Sequence, residues 1–233
     1  MRRCFRLWNE KEQRLPLSHL DLLRDALDSG RDEQTAPLSF SDLRVPAQQR
    51  RIDRATGELV ILPGAVQWWI ASPDDDSLTR LALRFAPGNF LPVGKAVFVL
   101  RESTAYSFPN LVAENTLSLS LRFSCRTPVV TTGVYSSANA YEPLVRQALL
   151  ETFARVYDRP PYSDAVGFAF DADYLRSHPR GGTKRIDFRG ETVDGILAPF
   201  VLTASPELLR VAWECGVGER TEDGFGFAEI ADT

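Results

Sequence analysis

The chain has 233 residues, of which 44% are hydrophobic and 25% are charged. This composition is typical of one large or two small globular domains and excludes a wholly disordered chain. The longest uncharged stretches, residues 59–73 and 127–141, fall short of the roughly 20 apolar residues that a membrane-spanning helix needs. The first residues contain no apolar signal-peptide core. We therefore expect a soluble, cytoplasmic protein.

The charged residues and the cysteines narrow the function classes further. The net charge of −4 argues against a nucleic-acid binder, since such domains are usually basic. However, 24 of the 27 basic residues are Arg, which binds phosphate groups and stacks on bases better than Lys does. A GC-rich genome would produce the same bias. The three Cys and two His are widely separated, so we predict no disulfide framework, no metal site and no cofactor.

Apolar spacing predicts six elements in the first half of the chain. They are a strand at 5–8, a helix at 18–29, a strand at 38–45, a strand at 59–70, a helix that starts at 72–76 and a strand at 96–100. Residues 48–57 are polar and predict a loop or a hairpin tip. The predicted order is β-α-β-β-α-β.

The second half predicts the same order. Its elements are a strand at 117–123, a helix at 141–157, a strand at 166–170, a hairpin or bent pair at 183–188 and 193–203, a helix that starts at 205–207 and a strand at 225–230. Two such units in tandem predict an α+β fold of two ferredoxin-like domains. We place them at residues 1–108 and 116–233, with the boundary within residues 103–116.

A glycine-rich loop, defined here as residues 216–226, lies between the last predicted helix and the last strand. It is not a dinucleotide-binding motif, because Thr221 occupies the third glycine position and the loop follows a helix. Its glycines would let backbone amides approach a bulky anion. The alternative is purely structural: a helix C-cap at Gly216 and an ordinary turn at Asp223-Gly224.

The pattern G-x-G, five residues, then G-F-G, after a helix near the C-terminus, resembles the RAMP superfamily and, more narrowly, the Cas6 family of CRISPR repeat-processing endoribonucleases. Weaker matches follow in the same order along the chain. They are residues 15–17 before the first helix, 38–43, 66–73, and 195–202 followed by 205–209. The resemblance implies two tandem ferredoxin-like (RRM-like) domains, in agreement with the order of elements.

The resemblance also implies a function. Members of the family bind the CRISPR repeat in precursor RNA and cut it 3′ of a hairpin without metal. The 2′-OH attacks the adjacent phosphate and leaves a 2′,3′-cyclic phosphate. The product would stay bound as crRNA and join other Cas subunits in an effector complex. The first alternative is an RNA-binding RAMP subunit that does not cleave. The second is a ferredoxin-like protein unrelated to nucleic acid, which the acidic net charge favours.

Three residues are the catalytic candidates that the resemblance implies. Many relatives carry a histidine in or near the first helix, and His19 is the candidate there; the pKa of histidine suits proton transfer. Other relatives, including members from type IV systems, rely on arginines. Arg24 and Arg31 would then stabilise the charge of the transition state.

Two basic clusters and the glycine-rich loop are the candidates for RNA binding. The alternative for the clusters is a solvated run of surface charge. The candidates are Arg44, Arg50, Arg51 and Arg54 in the first cluster, Arg180, Lys184 and Arg185 in the second, and Gly216, Gly218, Gly224, Phe225 and Gly226 in the loop.

Overall fold

The computed structural model of the chain describes residues 1–29, 36–110, 117–131 and 140–231. The first half contains β1 (Arg2–Asn9), β2 (Gln13–Pro16), α1 (Leu20–Asp28), β3 (Ser39–Phe40), β4 (Arg50–Asp53), β5 (Glu58–Ile61), β6 (Gly64–Ala71), α2 (Asp75–Arg84), β7 (Phe90–Val93) and β8 (Ala96–Tyr106). The second half contains β9 (Leu119–Cys125), α3 (Tyr141–Tyr157), β10 (Val166–Phe170), α4 (Ala172–Ser177), β11 (Thr183–Phe188), β12 (Glu191–Ile196), β13 (Phe200–Ala204), α5 (Pro206–Cys215) and β14 (Ala228–Ile230).

The first half folds as an antiparallel sheet in the order β3-β6-β1-β8-β7. Without the edge strand β7, this is the strand order of a ferredoxin-like β-α-β-β-α-β unit. Alternate residues of β1 and β6, such as Phe5 and Trp68, are buried beneath the apolar residues Leu23 of α1 and Leu78 of α2. Strands β2, β5 and β4 form a separate three-stranded sheet.

The second half repeats the topology with the order β10-β13-β9-β14. Val145, Leu149 and Phe153 of α3 pack in its core, together with residues of α5. The hairpin β11–β12 is inserted between β10 and β13. The repeated topology confirms the predicted fold of two tandem ferredoxin-like units.

Elements with strong local patterns were predicted with accurate bounds, whereas irregular segments were not. The helix at 141–157 and the strand at 166–170 are confirmed. The predicted strand at 59–70 is two strands, β5 and β6, because Pro63 lacks the amide that a continuous ladder requires. The prediction of a strand over 38–45 is wrong: only Ser39–Phe40 pairs continuously, and Arg44 adds a single bridge to Gln67.

Three further boundaries differ from prediction. The helix predicted at 18–29 begins at Leu20, and the Ser18 hydroxyl accepts a hydrogen bond from the Asp187 amide instead of capping it. Chain segment 193–203 is divided between β12 and β13, and the last strand is only Ala228–Ile230.

The two halves share an apolar interface. Val130, Phe188, Val193 and Phe225, all from the second half, are buried in the hydrophobic core of the first. The fully buried side chain of Arg2, in β1 of the first half, reaches into the second half. There it donates hydrogen bonds to the carbonyl oxygens of Trp213 and Ala228. Each half therefore completes the packing of the other. The domain limits of 1–108 and 116–233 remain a prediction.

Among the described residues, no helix is long and apolar enough to cross a membrane.

Candidate functional site

A cleft of about 490 Å³ lies where α1, α3 and the glycine-rich loop meet. We call it the helix-side cleft. Arg24 of α1 forms one wall, residues 148–155 of α3 form the opposite wall, and residues 218–223 of the loop form the base. It therefore combines residues from both halves of the molecule.

Two arginines from the opposite walls converge on Glu222 of the loop. The Arg24 guanidinium donates to the backbone oxygen of Glu222 and, at 2.9 Å, to the Asp28 carboxylate. Arg155 forms an ion pair of 2.8 Å with the Glu222 carboxylate. The loop is thus held between the first helix of each half.

A third arginine, Arg220, lies within the loop itself. Its guanidinium pairs with Glu191 at 2.9 Å and with Asp223 at 3.1 Å, and it lies over the rings of Phe188 and Phe225. All three arginines of the cleft therefore already have carboxylate partners. Among the described residues that line the cleft are these three arginines and four acidic residues, Glu151, Glu219, Glu222 and Asp223. RNA phosphate groups would have to displace carboxylates in order to bind the arginines.

The glycines of the loop are buried and serve the loop's own packing. Gly216 is the C-cap of α5 and has a positive φ of 88°, as the structural alternative expected. The amide of Gly226 donates to Pro128, and that of Val217 donates to Gly226. A Cβ at Gly224 would lie 2.5 Å from the Phe40 ring. These contacts explain the glycines without an anion.

The loop residues predicted to bind RNA therefore differ in their access to the cleft. Gly218 lines it, so its contact with RNA remains a prediction. Gly216, Gly224 and Gly226 are buried, and the Phe225 ring is 0% exposed. A base cannot stack on the Phe225 ring in this conformation, because the ring packs against Phe188.

His19, the predicted histidine catalyst, is also buried. It is the N-cap residue of α1, its side chain is 6% exposed, and its Nδ1 lies 3.1 Å from the carbonyl oxygen of Pro16. Burial lowers the pKa of the imidazole below its ordinary value. This environment disfavours proton exchange with a bound RNA. Arg31, the other candidate near α1, lies outside the described residues.

Comparison with known proteins relates this arrangement to a family. Residues 120–230, which include the loop and the wall formed by α3, match the family model described as "CRISPR associated protein Cas6, C-terminal". The second half of the chain is therefore similar to the C-terminal part of Cas6 proteins. No curated protein sequence matches the chain.

Solved structures resemble the whole chain. A structure described as "CRISPR associated protein Cas6" has a TM-score of 0.76 at 15% identity, covering 100% of this chain and 99% of that one. "An RAMP protein binding different RNA substrates" has a TM-score of 0.76 at 19% identity, with 100% of both chains covered. A protein from a Cas6-related gene of Pyrococcus furiosus has a TM-score of 0.73 at 16% identity, covering 100% and 98%. These likenesses establish that the Cas6 fold extends through both halves.

The first basic cluster lies away from the helix-side cleft of this Cas6 fold. Arg44 and Arg50 line a different cleft of about 660 Å³, together with Arg6, Asp42, Gln67 and Arg126. We call it the sheet-side cleft. Arg51 pairs with Glu12 at 3.2 Å, and Arg54 is exposed in the turn between β4 and β5.

The second basic cluster is exposed near the start of the β11–β12 hairpin. Arg180 and Lys184 are exposed, whereas Arg185 pairs with Asp194 at 2.9 Å. At the other end of this hairpin, Arg189 pairs with Asp25 of α1 at 2.6 Å. The RNA-binding roles of both clusters remain predictions.

Sequence reasoning missed Arg155, Arg220 and Arg126 as site residues. Arg155 lies on the polar face of a correctly predicted helix, so its position beside the loop depended on the contact between the two halves. Arg220 could have been identified from the sequence, because it lies within the glycine-rich loop. In the structure, it is one of two partly exposed residues between Gly218 and Thr221. Arg126 follows β9 and lines the sheet-side cleft.

Proposed function

We propose that this protein binds CRISPR repeat RNA and cleaves it in the helix-side cleft. The observation that carries the proposal is the contact between Arg24 of α1 and the glycine-rich loop of a Cas6 C-terminal domain. Similar folds are described as a Cas6 product complex and as a RAMP protein that binds RNA substrates. RNA is therefore the ligand class that fits best.

The proposed reaction needs no metal. The 2′-oxygen bonds to the adjacent phosphorus, the bond from phosphorus to the 5′-oxygen breaks, and the proton lost by the 2′-OH is balanced by one gained at the leaving 5′-oxygen. Arg24 and Arg155 would exchange Glu222 for the scissile phosphate and stabilise its additional charge. Arg31 is proposed to stabilise the charge of the transition state in the same way.

The finer details of the function are also proposals. Cleavage would fall 3′ of a short hairpin, and the protein would retain the 2′,3′-cyclic phosphate product as crRNA within a complex of Cas subunits. The exposed cations Arg180 and Lys184 would add phosphate contacts that slow the release of product. A pulse-chase measurement of the release rate of labelled product tests this retention.

Single-turnover cleavage of the host's own repeat RNA in EDTA tests the activity. Arg24→Ala is expected to slow cleavage at least a hundredfold, as the loss of a transition-state donor does. Arg146→Ala is the matched control, since Arg146 lies on the same helix as Arg155 but pairs with Asp164 outside the cleft. A 2′-deoxy nucleotide at the cut should abolish cleavage, because it removes the nucleophile.

Two outcomes would contradict the assignment. Wild-type rates in Arg24→Ala and Arg155→Ala would remove the helix-side cleft as the active site. A hundredfold loss in His19→Ala with unchanged unfolding free energy would assign proton transfer to that residue instead.

A second candidate is an RNA-binding subunit that does not cleave. It is favoured because the arginines of the helix-side cleft are paired with carboxylates and because no histidine is among its described lining residues. Tight binding of the repeat with no product after prolonged incubation would support this candidate over the nuclease.

A further inference from the structure

The reaction proposed for the helix-side cleft needs a group that accepts the proton of the 2′-OH. An arginine side chain cannot do this, because a guanidinium group keeps its proton at neutral pH. No histidine, lysine, tyrosine or cysteine is among the described residues that line the cleft. Both histidines of the sequence are described: His19 is buried, and His178 follows α4 and is not part of the lining. The proton acceptors that the described lining offers are therefore carboxylates.

Glu222 is the carboxylate that lies between the two walls of the cleft. From the α1 side, Arg24 donates to its backbone oxygen. From the α3 side, Arg155 forms an ion pair of 2.8 Å with its carboxylate, which is 35% exposed. The residue thus contacts both of the arginines to which we assign the scissile phosphate. A phosphate group bound by these arginines would lie next to the Glu222 carboxylate.

Two of the other acidic residues in the lining are engaged elsewhere. Asp223 pairs with Arg220 at 3.1 Å. Glu151 is exposed on α3 and accepts a hydrogen bond of 2.8 Å from Gln147. Neither forms an ion pair with Arg24 or Arg155 in the described part of the chain. Glu222 is therefore the best-placed acid for a reaction at a phosphate held by these two arginines.

The backbone around Glu222 is fixed by short-range hydrogen bonds. Thr221–Asp223 form one turn of 3-10 helix, and the hydroxyl-bearing Thr221 is buried. The amide of Asp223 donates to the carbonyl oxygen of Arg220 at 2.9 Å, and that of Gly224 donates to the carbonyl oxygen of Thr221 at 3.1 Å. If a phosphate displaces the Glu222 carboxylate from Arg155, only side-chain torsions need to change. The carboxylate then stays inside the cleft.

We propose that Glu222 is the general base of the cleavage reaction. A phosphate group that binds Arg155 releases the Glu222 carboxylate, and the released carboxylate accepts the proton of the adjacent 2′-OH. This inference rests on the proposed function, since it assigns one step of the proposed cleavage to a residue.

Protons and electrons balance in this step. The Glu222 carboxylate takes the proton of the 2′-OH while the 2′-oxygen bonds to phosphorus. The electron pair of the breaking bond from phosphorus to the 5′-oxygen stays on that oxygen, which takes a proton from water. The hydroxide ion that remains takes the proton from the Glu222 carboxyl, so the residue returns to its carboxylate form. Arg24 and Arg155 stabilise the charge on the phosphorane oxygens.

The ion pair with Arg155 also suits a simpler role, in which Glu222 only competes with RNA for the arginine. The two roles predict opposite effects on the rate when the charge is removed. Loss of a competing anion would raise both RNA affinity and the cleavage rate. Loss of a base would lower the rate even though RNA binds equally well or better.

Single-turnover cleavage of the host's repeat RNA at saturating protein distinguishes these roles. Glu222→Gln keeps the size of the side chain but removes the proton acceptor, so the rate should fall at least a hundredfold. Its affinity for the uncleavable 2′-deoxy substrate should be unchanged or higher. The matched control is Glu191→Gln, which removes the same charge from a partner of Arg220 outside the cleft lining and should keep the wild-type rate.

Two further measurements separate a base from an acid and from a structural defect. A substrate with sulfur in place of the scissile 5′-oxygen has a leaving group that needs no proton, so the hundredfold defect of Glu222→Gln should persist on it. Glu222→Ala leaves room for a small carboxylate. Added acetate should therefore raise its cleavage rate, whereas acetate would not repair a misplaced loop.

The outcomes distinguish failure of this inference from failure of the proposed function. A wild-type protein that binds the repeat but never cuts it would contradict the nuclease and the base together. If the wild type cuts the repeat and Glu222→Gln cuts it as fast or faster, only the role of Glu222 is overturned. Full recovery of Glu222→Gln on the sulfur substrate would make the residue an acid instead. A hundredfold loss confined to Glu151→Gln or Glu219→Gln would move the base to that residue.

Discussion

Among single residues, Arg2 links the two halves most directly. Its Nε donates to the Trp213 carbonyl at 2.7 Å and its Nη2 donates to the Ala228 carbonyl at 2.6 Å. The guanidinium also lies 4.2 Å from the centroid of the Phe227 ring. Burial lowers the pKa of Arg2 to about 9, so the group remains a cation at neutral pH. Hydrogen bonds and aromatic faces from the second half therefore replace its water.

Replacing this side chain should weaken the whole fold. Arg2→Ala is expected to lower the free energy of unfolding by about 3 kcal/mol, because two charge-assisted hydrogen bonds are lost and two buried carbonyl groups are left without donors. Urea denaturation measures the change. Arg6→Ala is the control on the same strand: its exposed ion pair with Glu102 should contribute less than about 1 kcal/mol. Equal losses in the two variants would contradict this role of Arg2.

Among the elements, the glycine-rich loop is the one whose sequence is most tightly constrained by its surroundings. A Cβ at Gly226 would lie 1.9 Å from the carbonyl oxygen of Val217, and one at Gly218 would lie 2.5 Å from that of Val130. Both glycines also have positive φ. Valine at Gly218 or Gly224 would thus disturb folding before it could report on RNA contact.

Two alanine substitutions, one in the turn between β4 and β5 and one in the glycine-rich loop, separate the effect of backbone conformation from that of close packing. Gly57→Ala changes a glycine with φ of 70° and open space around it, and should cost about 1 kcal/mol of stability. Gly226 has a similar φ, but a Cβ added there would clash with the Val217 backbone. Gly226→Ala should therefore lower the free energy of unfolding by about 1–3 kcal/mol more than Gly57→Ala does. Thermal and urea unfolding of both variants measure the difference. Equal losses would mean that the loop moves freely to accommodate a side chain.

At the scale of the whole molecule, the two ferredoxin-like units pack as one body. Phe188 and Phe225 of the second half are 2% and 0% exposed within the core of the first. Removing the second half would leave that core incomplete. Cooperative unfolding of both halves is the physical consequence, because neither buries its apolar surface alone.

Unfolding experiments test this cooperativity. Tryptophan fluorescence, which follows Trp68 in the first half and Trp213 in the second, should show one urea transition that coincides with far-ultraviolet circular dichroism. Phe188→Ala should lower the unfolding free energy by about 3–5 kcal/mol and keep a single transition. Phe90→Ala is the control, since Phe90 is 71% exposed and should change stability little. Two separate transitions in the wild type would show that the units fold independently.

Elements that form through local interactions were predicted more accurately than elements that depend on contacts with distant residues. Helix α3 and strand β10 were predicted with their observed bounds because periodic apolar residues determine them locally. The prediction for the two-residue strand β3 was too long, because the end of this strand depends on where β6 stops pairing with it. His19 was placed correctly at the start of α1, but its burial depends on tertiary packing.

The sequence by itself determined the doubled β-α-β-β-α-β order and the glycine pattern, because apolar periodicity and the position of glycines are local properties of the chain. Only the tertiary structure decided what those residues touch. The contact between Arg24 and Glu222 joins residues separated by 198 positions, and Phe40 lies against Gly224 from the other half. The division of the basic residues between two clefts has the same cause: sheet pairing and the packing of the two halves determine which arginines meet carboxylates and which, like Arg44 and Arg50, form no ion pair with another described residue.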